Sequence, residues 1–271
     1  MTTSPDDLTC ESDIGGIDDT DPVMDTIETV YSLVDIAPTI SALIDVPLPG
    51  ADGEAIPELI DRVSGCDHVI LIIVDSLGYL TYLRLRSAAQ VMRGTLIRCR
   101  AVADHTTPAI ASILTGCYPE THGILTTADV CTSEIKSILE RAEECGVRSA
   151  VAIESEGAIA MKTKIELSAG VPDGPDILEY DQRIRDSSIE LLKHEPVLLV
   201  AHFRAIDRYA HEDRSFEELV YAAKTIDEHI KEIRRNARGD TSVLVCGDHP
   251  IHGRYSDRDR DVALILLSGS G

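Results

Sequence analysis

The chain has no tryptophan and only 2 phenylalanines. A surface for stacking a planar ligand would therefore fall to tyrosine, with Tyr79, Tyr82, Tyr180 and Tyr209 as candidates. No Lys or Arg precedes Arg62, and the net charge is −22. Such a charge argues against nonspecific binding to nucleic acid or anionic lipid, and neither partner is expected. It also repels anionic ligands, unless bound cations reverse the field locally. Most of the carboxylates read as an acidic, solvated surface. No apolar run is long enough to span a bilayer, and no basic N-region precedes an apolar stretch. A cytoplasmic protein is expected. The 7 cysteines are Cys10, Cys66, Cys99, Cys117, Cys131, Cys145 and Cys246. Their odd number and the absence of C-x-x-C argue against a disulfide framework and a thiolate zinc site. Buried free thiols are expected instead.

With 271 residues and 44% apolar content, the chain can bury a full core. Residues 1–23 read as an acidic disordered tail. Residues 24–271 read as a single domain, without internal repeats. Helical spacing is expected from Met24 to Ile44, with Pro38 breaking or restarting the helix. His68–Val74 is a continuous apolar run, the pattern of a strand buried on both faces. Further strands are expected at Thr95–Val102, Val147–Ile153, Val197–Phe203, Ser242–Cys246 and Val262–Leu267. Helices are expected at Glu54–Val63, Pro108–Leu114, Ser133–Cys145, Tyr180–Lys193 and Phe216–Arg235. Alternating strands and helices predict an α/β, three-layer α/β/α sandwich with a mostly parallel sheet and no large cap domain. Glu154–Pro175 is the one candidate lid, and its shortness predicts an open site.

Several chemistry-bearing residues sit at strand ends or helix starts. Asp75 ends the His68–Val74 strand, on the sheet edge where α/β proteins bind ligands. It could equally cap the next helix. Thr106 precedes Pro108 at the start of an apolar helix, where free N–H groups and the helix dipole favour an anion. Thr107 competes for that role. Asp207 and His211 form D-x-x-x-H, and on a helix i and i+4 share one face. Asp248-His249 follows a strand through Gly247, a position that also suits a plain polar turn. Carboxylate and imidazole ligands without thiolates suit zinc or manganese. A hydroxyl among them is a candidate metal-activated nucleophile.

Thr106-Thr-Pro-Ala109, followed by Leu114-Thr-Gly-Cys-Tyr-Pro-Glu-Thr-His-Gly-Ile124, resembles the T-x-P-N … V-T-G-x-Y-P-E-S-H-G-I segment of the alkaline phosphatase superfamily. The resemblance is nearest to its type I phosphodiesterase/nucleotide pyrophosphatase branch. It implies an alkaline phosphatase-like catalytic domain over 24–271 with Thr106 as nucleophile and metal ligand. It further implies that Asp75, Thr106, Asp248 and His249 hold one divalent metal. Asp207 and His211 would hold the other, with a further histidine assigned to His252. Two divalent ions are implied, zinc first and manganese second. The implied activity is hydrolysis of a small phosphate ester or nucleotide-type substrate through a phosphothreonine.

Departures from the family pattern bear on the substrate. Ala109 stands where the pattern has Asn, and Thr126 and Thr127 stand where a phosphate-holding Asn follows H-G-I. Asp35-Ile-Ala-Pro-Thr-Ile-Ser-Ala-Leu-Ile-Asp-Val-Pro-Leu-Pro49 resembles an element that relatives carry after their last strand. A circular permutation is expected from it, with residues 30–49 near the strand Val262–Leu267. Two rival functions remain at this stage. A phosphomonoesterase or phosphomutase would use Arg204 and Arg208 on the terminal phosphate oxygens. A non-catalytic metal-binding module would bind metal without turnover. Oligomeric state is left open.

Overall fold

The computed structural model describes residues 25–63, 65–89, 92–161, 164–252 and 259–267. The tail expected over 1–23 lies outside the described residues. Eight strands form one sheet: β1 (Thr26–Ser32), β2 (His68–Val74), β3 (Gly94–Arg100), β4 (Ser149–Glu154), β5 (Leu167–Val171), β6 (Leu198–Phe203), β7 (Thr241–Gly247) and β8 (Asp261–Leu267). Their order is β1-β3-β8-β7-β2-β6-β4-β5, parallel except for β8, which runs antiparallel to β3 and β7. The helices that concern the site are α1 (Ile36–Leu43), α2 (Pro57–Val63), α3 (Tyr79–Leu85), α4 (Thr106–Thr115), α5 (Pro119–His122), α6 (Thr127–Val130), α7 (Ile138–Glu144), α8 (Ser155–Met161), α9 (Ile177–Leu192), α10 (Ala205–His211) and α11 (Phe216–Asn236).

The middle strands carry apolar residues at successive positions because both faces of the sheet are covered. In β2, Ile70, Ile72 and Val74 pack toward α3, α9, α10 and α11. Val69, Leu71 and Ile73 pack toward α1, α2, α4 and α7. Burying each of these side chains contributes about 1.5–3 kcal/mol, which holds the sheet between its two helical layers. The three-layer α/β/α architecture is the expected one.

Some local expectations are corrected. Thr26–Ser32 is a strand and not the first half of a helix. It pairs in parallel with β3, and the helix begins only at Ile36. Only Ile27 of this edge strand is buried, so its pattern carries little strand signal. Pro38 falls in the first turn of α1, where its missing N–H is not needed. The helix expected from Ser133 starts at Ile138. Ser137 Oγ accepts from Glu140 N as the N-cap, and the Glu140 carboxylate accepts in turn from Ser137 N. Glu154–Pro175 is not a lid, because most of it is built into the fold as α8 and the edge strand β5, hydrogen-bonded to β4. Of the cysteines, Cys99, Cys117 and Cys246 are buried, while Cys131 and Cys145 are exposed. Both exposed thiols sit at helix C-termini on the surface. Burial pushes the Cys99 and Cys246 thiols well up, so neither offers a thiolate.

β1, which precedes α1, pairs with β3, and β3 pairs with β8. Leu33, Ile36 and Ile40 share one apolar layer with Val262, Leu264 and Leu266. One strand, β3, separates β1 from β8.

Candidate metal centre

Strands β6, β2 and β7 run side by side in one direction and end in register. Val74 is paired with Phe203 on one side and with Gly247 on the other. The residues that follow are Asp75, Arg204 and Asp248, so three separate sequence regions deliver polar groups to one edge. Gly247 is required at this point. A β-carbon there would run into the backbone of Leu77, which crosses directly over it.

Asp75 sits at the centre and is 1% exposed. Its carboxylate lies 3.2 Å from His249 Nε2, 3.6 Å from His202 Nε2 and 3.9 Å from Arg204 Nε. Thr106 Oγ1 is 3.4 Å from both Asp75 oxygens and 3.3 Å from His249 Nε2. Ser76 links the surrounding groups. Its hydroxyl donates to Asp207 Oδ1 at 2.8 Å, its N–H donates to Asp248 Oδ1 at 3.0 Å, and its hydroxyl lies 3.3 Å from His249 Nδ1. Ser76 holds φ +62, a left-handed conformation that a non-glycine residue adopts at a cost. His211 Nε2 is 3.3 Å from Asp207 Oδ1, across one turn of α10. The start of α10 is held by Asp181, whose carboxylate accepts from Arg204 N and Ala205 N.

His252 reaches the same place. Its ring lies 4.8 Å from the His249 ring and 6.1 Å from the His211 ring, and Nε2 is 2.9 Å from the Asp104 carbonyl oxygen. All seven residues singled out in the sequence are thus gathered at one sheet edge. Their grouping differs from the implied partition. Donor atoms of Asp75, Asp207 and His249 converge in one set, and those of Asp75, His202 and Asp248 in another. Asp75 is shared between them.

Sequence reasoning missed His202 and Ser76. His202 is one histidine in an otherwise apolar strand, a signal that could have been noticed. Ser76 follows Asp75, but its left-handed backbone left no trace in the residue type.

Thr106 is the first residue of α4, with His105 as N-cap, whose side chain makes no capping bond. Thr106 is therefore not itself the cap. Pro108 has no N–H and Ala109 N donates to the His105 carbonyl, so the N–H groups of Thr106 and Thr107 are the ones at this helix start that no side chain caps.

The electrostatics describe a site that wants cations. Burial alone would raise Asp75, but His202 and His249 beside it hold its carboxyl below the usual carboxylate range. Burial pushes Asp248 up to about 7, reinforced by the charge of Asp75. Burial and the Asp75 charge also raise Asp207. Burial opposes a charge on His249, yet Asp248 and Asp75 outweigh it and lift the imidazole to about 10. Asp248 Oδ2 and both ring nitrogens of His202 are buried with no hydrogen-bond partner. Buried polar atoms without partners are costly, and a divalent cation would satisfy them. The donor set therefore fits a carboxylate–imidazole metal centre.

A pH dependence follows with a defined sign. Metal uptake needs Asp248 ionised and His249 neutral, so uptake displaces protons. Zinc affinity should fall as pH is lowered, and fall more steeply below about 7, where Asp248 is protonated before uptake. Competition with a chromophoric chelator between pH 5.5 and 8.5, about the range where His and raised carboxylates titrate, checks this. A pH-independent affinity would contradict the site.

A cavity of about 500 Å³ opens beside Thr106, lined also by Ile110, Leu114, Ile153, His202 and Arg204. The tyrosines considered for stacking do not line it. Tyr82 is fully buried and donates to the Met92 carbonyl. Tyr79, Tyr180 and Tyr209 lie under the guanidinium groups of Arg98, Arg204 and Arg214.

No protein-family model matches the chain, and no curated protein sequence matches it. Solved structures do. Phosphonoacetate hydrolase from Sinorhizobium meliloti, in complex with phosphonoformate, aligns with a TM-score of 0.55 at 14% identity, over 69% of this chain and 57% of that one. A protein in the alkaline phosphatase superfamily from Vibrio parahaemolyticus aligns with a TM-score of 0.51 at 13% identity, over 76% and 61%. The lipoteichoic acid synthase LtaP from Listeria monocytogenes aligns with a TM-score of 0.53 at 11% identity, over 87% and 72%. The chain thus spans little more than half the length of the phosphonoacetate hydrolase. Its fold is alkaline phosphatase-like. Among the described residues, no helix is long and apolar enough to cross a membrane.

Proposed function

We propose that the chain is a metal-dependent phosphoesterase, a phosphodiesterase of the nucleotide pyrophosphatase type, acting through a phosphothreonine on Thr106. The observation that carries this reading is Thr106 Oγ1 at the start of α4, within 3.4 Å of both Asp75 and His249. Asp75, Thr106, Asp207, His211, Asp248, His249 and His252 would hold two divalent ions, zinc first and manganese as the alternative. When bound, such ions supply positive charge that acidifies a hydroxyl and neutralises charge developing on phosphoryl oxygens.

The residues themselves have distinct tasks. Helix α4 carries Thr106 Oγ1 on its first residue, beside the uncapped N–H groups of Thr106 and Thr107, which places a nucleophile and anion donors together. The Thr106 Oγ1–phosphorus bond forms as the bond from phosphorus to the leaving oxygen breaks. The threonine proton passes to water, and the leaving alcohol takes up a proton from water. Water then attacks phosphorus, the Thr106 Oγ1–phosphorus bond breaks, and the hydroxyl is restored. Ser76 orients Asp207 and Asp248, and Asp181 fixes the entry to α10.

A diester is favoured over a monoester by the cationic groups. Arg204 lines the cavity with Thr106, but Arg208 does not, and it is bonded to both oxygens of the lining residue Asp173 at 3.0 Å. A terminal phosphate with more negative charge would call for both. The same reading makes 24–271 one catalytic domain, permuted so that the α1 segment precedes the rest, and places it in the cytoplasm. Initial rates on bis-p-nitrophenyl phosphate and p-nitrophenyl phosphate, with zinc or manganese supplied, test it. Faster diester cleavage is expected. Faster monoester cleavage would turn the assignment to a phosphatase or mutase.

A further inference from the structure

The cavity beside Thr106 has the size of a site for a small organic group. It follows one face of α4. Thr106, Ile110 and Leu114 lie four residues apart on that face, which gives it a length of about 12 Å. Ile124, Ile153 and Met161 supply apolar lining from other elements, and all three are buried.

The charges in the lining are largely spent on one another. Lys164 Nζ lies 3.0 Å from Glu140, and Arg204 lies 3.7 Å from Asp173. Glu154 accepts the N–H groups of Glu156 and Gly157. Carboxylates outnumber cations among the lining residues, so a second phosphate would be repelled there. No phenylalanine, tyrosine or tryptophan occurs among the described lining residues, so a nucleobase would find only the His202 imidazole, itself buried, to stack on. The cavity is also continuous with the metal centre. His202 is 1% exposed, belongs to its lining, and has both ring nitrogens without a hydrogen-bond partner.

We infer that this cavity holds an aliphatic substituent on the substrate phosphorus, so the preferred substrates are phosphodiesters of an apolar alcohol. The inference rests on the diesterase reading above. In-line displacement puts the leaving oxygen on the side of phosphorus opposite Thr106 Oγ1. A pocket with Thr106 in its wall therefore takes the substituent that stays. The phosphorus–leaving oxygen bond breaks, the alkyl–oxygen–phosphorus linkage survives, and hydrolysis of the threonine ester releases an alkyl phosphate.

The test uses the full-length, zinc-loaded protein and the methyl, butyl and octyl esters of p-nitrophenyl phosphate, which share one leaving group. A buried methylene is worth up to about fourfold, so kcat/KM should rise at least about a hundredfold from methyl to octyl, mainly through KM. Equal kcat/KM across the series overturns the pocket assignment and leaves the diesterase reading standing. If none of the esters is cleaved, the diesterase reading fails, and binding alone decides the pocket. Octylphosphonate, below its micellar concentration, should then bind at least about thirtyfold more tightly than methylphosphonate, with a negative heat-capacity change. Equal affinities overturn the assignment. Ala111→Phe, on the cavity wall, should flatten both chain-length series. If that variant does not fold, the wild-type series still decides.

Discussion

Thr106→Val will lower hydrolysis of bis-p-nitrophenyl phosphate by at least about a thousandfold, because removing a nucleophile removes the covalent route altogether. Valine keeps the branched shape and loses only the hydroxyl. That hydroxyl makes 3.3–3.4 Å contacts to Asp75 and His249, too long to contribute much to stability. The variant should therefore fold normally and keep most of its metal. That combination separates loss of the nucleophile from collapse of the site. Turnover within tenfold of wild type would make Thr106 a bystander and move the chemistry to water.

Asp75→Asn should be the most damaging change to metal binding, lowering zinc affinity by at least about a hundredfold. Among the described residues Asp75 is the donor shared by both sets, so its substitution removes a ligand from each at once. The variant should also lose about 3 kcal/mol of stability in the metal-free protein, because the buried His249 cation loses a partner 3.2 Å away. The sign with pH is fixed by the depressed Asp75 carboxyl. Its contribution is present in full above the ordinary value of 3.8, shrinks below it, and is lost only as pH falls through the depressed folded value. Denaturant melts at neutral pH and near pH 3, about one unit below the ordinary carboxylate range, should show a deficit that is smaller, but still present, at the lower pH. An equal deficit at both would mean that Asp75 acts by packing and not by charge.

Much of this site was legible in the sequence, for a physical reason. The three strands that carry it are buried on both faces, so they read as largely apolar runs, and the carboxylates that come shortly after them, Asp75, Asp207 and Asp248, stand out. Thr106 was marked by the proline and the apolar helix after it. The parts that were hidden depend on tertiary context. β1 and β5 are edge strands with little burial, so neither alternation nor an apolar run marks them. His202 sits inside a strand whose other residues are apolar, and only the register beside Ile73 brings it to Asp75. Ser76 owes its linking role to a backbone conformation that residue type does not report. The cavity along α4 joins residues from positions 106 to 204, a separation that local patterns cannot bridge.

The most direct measurement is the intact mass of zinc-loaded protein, acid-quenched during turnover of a diester with a slow second step. The expected result is an added phosphoryl ester that peptide mapping places on Thr106 and that Thr106→Val lacks. Steady turnover with no adduct, retained in Thr106→Val, would contradict a covalent mechanism at this centre.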